Sequence, residues 1–330
     1  MAEKTSYTIK LTPAQMDQAA RILQEGNYRP RRVEHTVAAA EAPDCQIALY
    51  KSGKCLVQGK GAADWITFVL EPQVLLEARL GYEDVLDPGA NAPHMGVDES
   101  GKGDFFGPLV IAAAYVDEAI ARDLKAMNVR DSKSITSDKA AQDLARKIRT
   151  RLGDRFAVVT IGPVAYNRLH ATMTSVNRIL AWGHARAIEN LLEKVPNCPR
   201  ALSDQFGPAR QIQRALQQKG RRIKLEQRPR AESDVAVAAA SILARAAFLT
   251  ALAKLGENCG AALPKGASEK VKAVAADLVK KRGPAVLLET AKCHFQTTDQ
   301  VLATLGTTRK DAGLPPAPVR KVFVPRKPSS

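Results

Sequence analysis

The chain is poor in residues that build covalent or metal-clipped frameworks. Its five cysteines (Cys45, Cys55, Cys198, Cys259 and Cys293) are odd in number and scattered, with no Cys-x-x-Cys pair. That excludes a zinc ribbon or a disulfide scaffold and makes reduced thiols the expectation. Aromatic residues are only 5% of the chain, and Tyr166 and Trp182 read as packing residues rather than base-stacking platforms. Of five histidines, His184 falls within a predicted long helix as a polar-face or satisfied core residue, and His294 reads as a brace near the C-terminal end. No long apolar run exists: the longest, Pro108 to Val116, is far too short to span a bilayer. The N-terminal Met-Ala-Glu-Lys-Thr-Ser has no basic-then-apolar leader pattern. A cytoplasmic protein with no membrane association, and a monomer as the simplest state, is the expectation.

Acidic residues are also in deficit, 34 against 49 basic ones, for a net charge of +15. Residues 1–70 carry net +2, 71–95 net −4, 96–305 net +12 and 306–330 net +5. A polyanionic partner fits that excess, met mainly by the larger C-terminal part. At 330 residues and 45% hydrophobic, the chain has core material for one large domain and a smaller one.

Patterning divides the chain accordingly. Residues 1–70 read as a small α+β unit. Tyr7–Leu11 is strand-like, and Thr12-Pro13-Ala14-Gln15 supplies a cap, a first-turn proline and a capping-box glutamine for a helix ending at Gly26. Residues 46–50 and 54–58 flank a Lys51-Ser52-Gly53 turn. Residues 71–95 read as an acidic interdomain linker. From there strands (95–98, 109–116, 156–161, 201–204, 222–225) alternate with helices (136–152, 175–194, 235–255), the pattern of an α/β sheet flanked by helices. The helix after Val235 is apolar nearly all round, which predicts burial against the sheet. Residues 306–330, with five prolines and six basic groups, read as a disordered tail.

The most informative stretch is Gly96-Val97-Asp98-Glu99-Ser100-Gly101-Lys102-Gly103-Asp104-Phe105-Phe106-Gly107-Pro108. Two adjacent carboxylates close a short apolar strand and enter a glycine-rich turn carrying a lysine. Carboxylates can hold a divalent cation, and glycines let the backbone approach a sugar-phosphate closely. Asp204 ends another short strand, and Glu232 and Asp234 precede the alanine-rich helix. Carboxylates gathered at one sheet edge repel unless cations sit among them. Alternation in a regular strand would send Asp98 and Glu99 to opposite faces, so a shared centre calls for a turn of the backbone at Glu99. Asp104 reads as a turn residue or a brace for the loop.

The stretch from Gly96 to Leu109 resembles the signature of type 2 ribonucleases H, and its Gly-Lys-Gly-Asp-Phe-Phe-Gly-Pro portion is more similar to the ribonuclease HIII branch than to ribonuclease HII. The likeness continues through Asp131-Ser132-Lys133, Tyr166-Asn167, Asp204-Gln205-Phe206, Arg230-Ala231-Glu232, Ala236 to Arg245, Leu263 to Ala267 and Lys292-Cys293-His294-Phe295. It spans about residues 1–300. The resemblance implies an RNase H-like mixed sheet flanked by helices, with an N-terminal α+β domain similar to a TATA-box-binding protein repeat. It implies that Asp98, Glu99, Asp204 and Glu232 bind two Mg2+ or Mn2+ ions for in-line attack on an RNA phosphodiester, leaving 5′-phosphate and 3′-hydroxyl ends. The spacer before the alanine-rich helix is a residue shorter than is common in the family, so Asp234 competes with Glu232 as the fourth acid, its other role being a helix cap.

The implied partner is an RNA–DNA hybrid, distinguished from DNA by its 2′-hydroxyl. The resemblance gives that task to the backbone of Gly101, Lys102 and Gly103, with the side chains of Lys102 and Lys133 near phosphate. Arg29, Arg31, Arg32, Lys51, Lys54 and Lys60 are the N-terminal groups that could grip the duplex, and the basic tail could add nonspecific attraction. The rival readings are ribonuclease HII-like incision at a single ribonucleotide in DNA and a non-catalytic hybrid-binding protein. A transposase-like strand transferase has no support beyond shared sheet chemistry.

Overall fold

The computed structural model describes residues 5–76, 92–129, 135, 137–204, 210–216, 220–228 and 231–317. The chain forms two compact units, Met1–Ala90 and Asn91–Ser330.

In the first unit, strands β1 (Ser6–Lys10), β2 (Arg29–Pro30), β3 (Thr36–Ala42), β4 (Cys45–Tyr50) and β5 (Lys54–Gln58) form an antiparallel sheet in the order β1-β5-β4-β3-β2. Helix α1 (Pro13–Glu25) starts with the expected capping box: Thr12 N–H donates to Gln15 Oε1 and Gln15 N–H to Thr12 Oγ1. It buries Met16, Ala19, Ala20 and Leu23 among Ile47, Leu49, Cys55 and Val57. A short helix α2 (Ala62–Trp65) runs into a π-helical segment, Ile66–Leu75, which buries Leu70, Val74 and Leu75. The packed unit therefore extends past residue 70. Residues 71–76, expected as linker, belong to it because Val74 and Leu75 complete its core.

The second unit is built on a mixed sheet in the order β10-β9-β6-β7-β8. Strands β6 (His94–Ser100), β7 (Leu109–Val116) and β8 (Phe156–Ile161) are antiparallel neighbours, while β9 (Arg200–Asp204) runs parallel to β6 and β10 (Lys224–Arg228) parallel to β9. Helices α3 (Glu118–Ala126), α4 (Asp138–Leu152), α5 (Pro163–Met173), α6 (Val176–Leu192) and α7 (Arg210–Ala215) lie between strands in the sequence. Then come α8 (Val235–Cys259), α9 (Glu269–Arg282), α10 (Val286–Thr290) and α11 (Gln296–Thr304).

Strand alternation explains the layering. Val110, Ala112 and Ala114 pack with α4 and α8 on one face. Val97, Leu109, Ile111 and Ala113 pack with α6 on the other. α8 has the length and apolarity of a membrane span, yet 78% of its most apolar stretch is buried inside this unit. It lies along β6 in the same sense. Asp234 meets His94, Ala236 and Val237 meet Gly96, Ser241 meets Asp98, and Phe248 meets Gly101.

Three expectations need correction. The linker ends before His94, since β6 begins there. β10 lies at 224–228 rather than 222–225, because its register is set by pairing Lys224 with Arg200 through Arg228 with Asp204. The tail is folded onto the unit as far as it is described: Leu314 joins the core, and Arg309 pairs with Asp299 and donates to Phe295 O and Pro315 O. Arg309 is thus a structural cross-link rather than a free cation. Helix α5, with Pro163 in its first turn, and the helices after residue 268 add to the elements expected from the sequence.

At Gly96 an added Cβ would stand 2.1 Å from Ala236 C and Val237 N. Gly96→Ala must push α8 off the sheet, and urea denaturation is expected to show a loss of about 3 kcal/mol, the upper end for overpacking. A loss below 1 kcal/mol would show that the helix yields freely.

Candidate active site

The site is built where the pairing of β6 with β9 ends. These parallel strands pair through Met95–Ala201, Gly96–Leu202 and Val97–Ser203, and Asp98 and Asp204 are the next residue on each strand. Leu202 packs with Ala231 and Val237, which puts Asp204, two residues on, on the α8 face. Asp98 shares that face, hydrogen-bonded to Ser241 of α8 and accepting from Glu99 N–H at 2.8 Å. The 3-10 turn Ala231–Ser233 closes over this edge, with Ala231 N–H donating to Asp204 Oδ1 at 3.3 Å. Glu232 occupies the middle of that turn, and its side chain lies outside the described residues, as does Lys133.

Asp234, the competitor for the fourth position, is committed elsewhere. Its carboxylate caps α8, accepting from Ala236 N–H and Val237 N–H at 2.9 and 3.1 Å. It also meets Nε2 of the fully buried His94 at 2.9 Å, whose Nδ1 faces Ala92 O at 2.7 Å. His94 is four residues before Asp98, roughly 13 Å along an extended strand, so Asp234 stands away from the carboxylate edge.

Glu99 departs from expectation. β6 remains regular, paired with β7 as far as Ser100–Val110, and the backbone does not turn at Glu99. Its side chain therefore points to the α6 face, where Oε2 lies 3.0 Å from Nε2 of buried His184 and Oε1 lies 3.5 Å from Lys102 Nζ. His184 is a site residue that sequence reasoning placed in the core without a role. Nothing in a lone histidine on an apolar helix signals a partner on a strand 85 residues earlier. Among the described residues no three His, Cys, Asp or Glu side chains form a ready metal cage.

The electrostatics follow from this placement. Burial raises the Asp98 carboxyl to about 6, with the neighbouring Glu99 charge adding to it. Burial also works to raise Glu99, but the His184 hydrogen bond and the charges of His184 and Lys102 outweigh it and hold that carboxyl below its ordinary value. An oxygen-only donor set suits a hard cation such as Mg2+ or Mn2+. A buried carboxylate whose charge is disfavoured by burial and by a neighbouring carboxylate is what such an ion would stabilise.

The glycine loop sits beside these acids. Gly101 has φ +90°, and an added Cβ would lie 2.3 Å from Pro108 O, so the fold itself demands glycine there. At Gly103 an added Cβ would meet nothing within 4 Å among the described residues, and the backbone needs no left-handed conformation. Lys102 reaches back to Glu99 and is 42% exposed. Asp104 is the expected brace, accepting from Gly266 N–H at 2.6 Å while Phe105 N–H donates to Gly266 O.

Other singled-out motifs meet under the loop. Asn167 donates to Ala291 O and accepts from Cys293 N–H. Lys292 N–H donates to Phe105 O, Gly107 N–H to Thr290 O, and Phe106 bridges to Ala291. Burial pulls the Lys292 ammonium down to about 7 against the opposing charge of Asp104. In the first unit, Arg29, Arg31, Arg32, Lys51, Lys54 and Lys60 are all exposed.

Comparison with known proteins decides the family. The family model described as Ribonuclease HII matches residues 95–298. The chain belongs to the ribonuclease HII family. It is 41% identical to a ribonuclease HIII of Chlamydia pneumoniae over 300 residues, 89% of this chain and 97% of that protein. It is 38% identical to a ribonuclease HIII of Protochlamydia amoebophila over 284 residues, covering 86% and 92%. A crystal structure of Bst-RNase HIII in complex with Mn2+ matches with a TM-score of 0.63 at 30% identity, covering 91% of this chain and 99% of that one. The chain is accordingly a metal-dependent ribonuclease with the RNase H-like mixed sheet.

The raised Asp98 carboxyl gives a stability prediction. Folding favours protonated Asp98, so its contribution is full below about pH 4 and is lost as pH rises through about 6. In chelator, Asp98→Asn should therefore be more stable than wild type at pH 7.5 by on the order of 2 kcal/mol, the gap closing by pH 4. Urea midpoints that stay parallel across that range would contradict it.

Proposed function

We propose that this protein is an endoribonuclease that hydrolyses the RNA strand of RNA–DNA hybrids by two-metal in-line attack, leaving 5′-phosphate and 3′-hydroxyl ends. The observation that carries the reading is the placement of Asp98 and Asp204 one residue beyond Val97–Ser203, the last pair between the parallel strands β6 and β9, with Asp98 three residues before a glycine loop whose Gly103 meets nothing within 4 Å among the described residues. Asp98, Asp204, Glu232 and Glu99 are the residues that would hold the ions, Glu99 by turning from His184. When bound, Mg2+ or Mn2+ would activate a water and stabilise the leaving oxygen. The chain's own residues do the rest. Asp98 is held by Ser241 and Glu99 N–H, Asp204 is held by Ala231 N–H, and the loop backbone offers its amides and carbonyls to a ribose 2′-hydroxyl.

The direct test uses three labelled duplexes: a full RNA–DNA hybrid, DNA with one ribonucleotide, and double-stranded RNA, each with Mg2+ or Mn2+. Cutting of the hybrid is expected, reduced at least about a hundredfold in Asp98→Asn, as loss of a metal-binding carboxylate requires. Preferential cutting at the single ribonucleotide would move the protein to ribonuclease HII-like incision. Binding of the hybrid without metal-dependent cutting would leave a binding protein.

The two loop glycines separate folding from recognition. Gly103→Ala should leave the melting temperature unchanged yet raise KM for the hybrid several-fold, because its Cβ occupies space the fold leaves open. Gly101→Ala should lower the melting temperature. Unchanged KM in Gly103→Ala would remove Gly103 from the substrate contact.

A further inference from the structure

Lys292 is fully buried, and its charge is met by carbonyl oxygens rather than by a carboxylate. Nζ lies 2.7 Å from Gly107 O and 3.3 Å from both Phe106 O and Pro108 O. Asp104 acts on it only through space. Three successive carbonyls converge on one point because Gly107 takes φ +82°. They need three donors, and an ammonium is the side-chain group with three N–H bonds on one atom. A buried charge is costly, and an apolar side chain would fill the same volume, so this lysine has a task that packing does not explain.

That task is legible from Pro108. Its carbonyl oxygen accepts from Lys292 on one side and on the other lies where a Cβ of Gly101 would stand, 2.3 Å away. The position of Gly101 thus depends on where Lys292 holds that oxygen. The lysine is itself fixed by backbone bonds that do not need its side chain: Lys292 N–H to Phe105 O, and the clamp of Asn167 on Ala291 and Cys293.

We propose that Lys292 is a positioning residue for substrate, its buried ammonium gathering the Phe106, Gly107 and Pro108 carbonyls and so setting the height at which the Gly101–Gly103 backbone meets the ribose. The inference rests on the reading of this loop as the element that contacts the hybrid. Lys292 touches neither substrate nor the acids. It acts through Pro108 and Gly101.

The test compares full-length wild type with Lys292→Met, which keeps length and removes all three donors. In the free protein, amide hydrogen exchange at Gly101–Gly107 should quicken while exchange in α8 and β6 stays unchanged. In saturating Mn2+, KM for the hybrid should rise about tenfold, the scale of losing a supporting contact, with kcat within about threefold and Mn2+ affinity by calorimetry unaltered. A role confined to stability would lower the melting temperature and leave KM of the folded enzyme where it was. If Lys292→Met does not fold, Lys292→Gln, which keeps one shorter donor, is read in its place with the same expected direction. Unchanged loop exchange and unchanged KM in a folded variant would overturn the proposal. Failure of wild type to bind or cut the hybrid would overturn the functional reading instead, and the exchange comparison would still decide whether Lys292 holds the loop.

Discussion

The contact between the helix Val235–Cys259 and the strand His94–Ser100 is the constraint on which the catalytic unit depends. It exists because Gly96 has no side chain and the facing helix begins with valine and a run of alanines. Backbone can then lie nearly on backbone, and the helix seals one face of the sheet. Asp98 is buried because of that seal, Ser241 is within its reach for the same reason, and Phe248 is carried up against Gly101 and Gly107. The His94–Asp234 pair pins the start of the helix, so its register along the strand is fixed at the end remote from the acids.

A consequence is electrostatic. The fold places a carboxylate where burial disfavours its charge, and it puts Glu99 beside it on the opposite face with its own counter-charges from His184 and Lys102. The two adjacent acids therefore live in different environments. One has its carboxyl raised to about 6 by burial, with only a minor opposing effect from His184, and the other is held below its ordinary value. Asymmetry of this kind is the usual outcome when two titrating groups share a site but not a set of neighbours.

The loop after Ser100 shows how separate parts of the chain are made to act together. Gly266, Thr290, Ala291 and Lys292 all bond to its far half, and Asn167 locks the segment that presents them. The loop is thus a rigid shelf rather than a free turn, which is what recognition by backbone groups needs, since a mobile backbone would have to be ordered on binding.

Much of this was determined by the sequence alone. The capping box at Thr12, the alanine-rich helix after Asp234, the alternation of strands and helices, and the run from Gly96 to Pro108 are local signals, because caps, periodicity and turn chemistry act over a few residues. The ordered motifs likewise placed the chain in its family. What only the tertiary structure decided involves residues far apart in the chain. Asp234 caps the helix and meets His94. Glu99 faces His184 on a strand that stays regular, Arg309 and Leu314 draw the start of the tail onto the core, and Lys292 is buried under a loop nearly two hundred residues earlier. Each turns on which side of a sheet a residue faces, or on which distant oxygen a donor meets. Those are settled by packing of the whole unit, which local sequence does not encode.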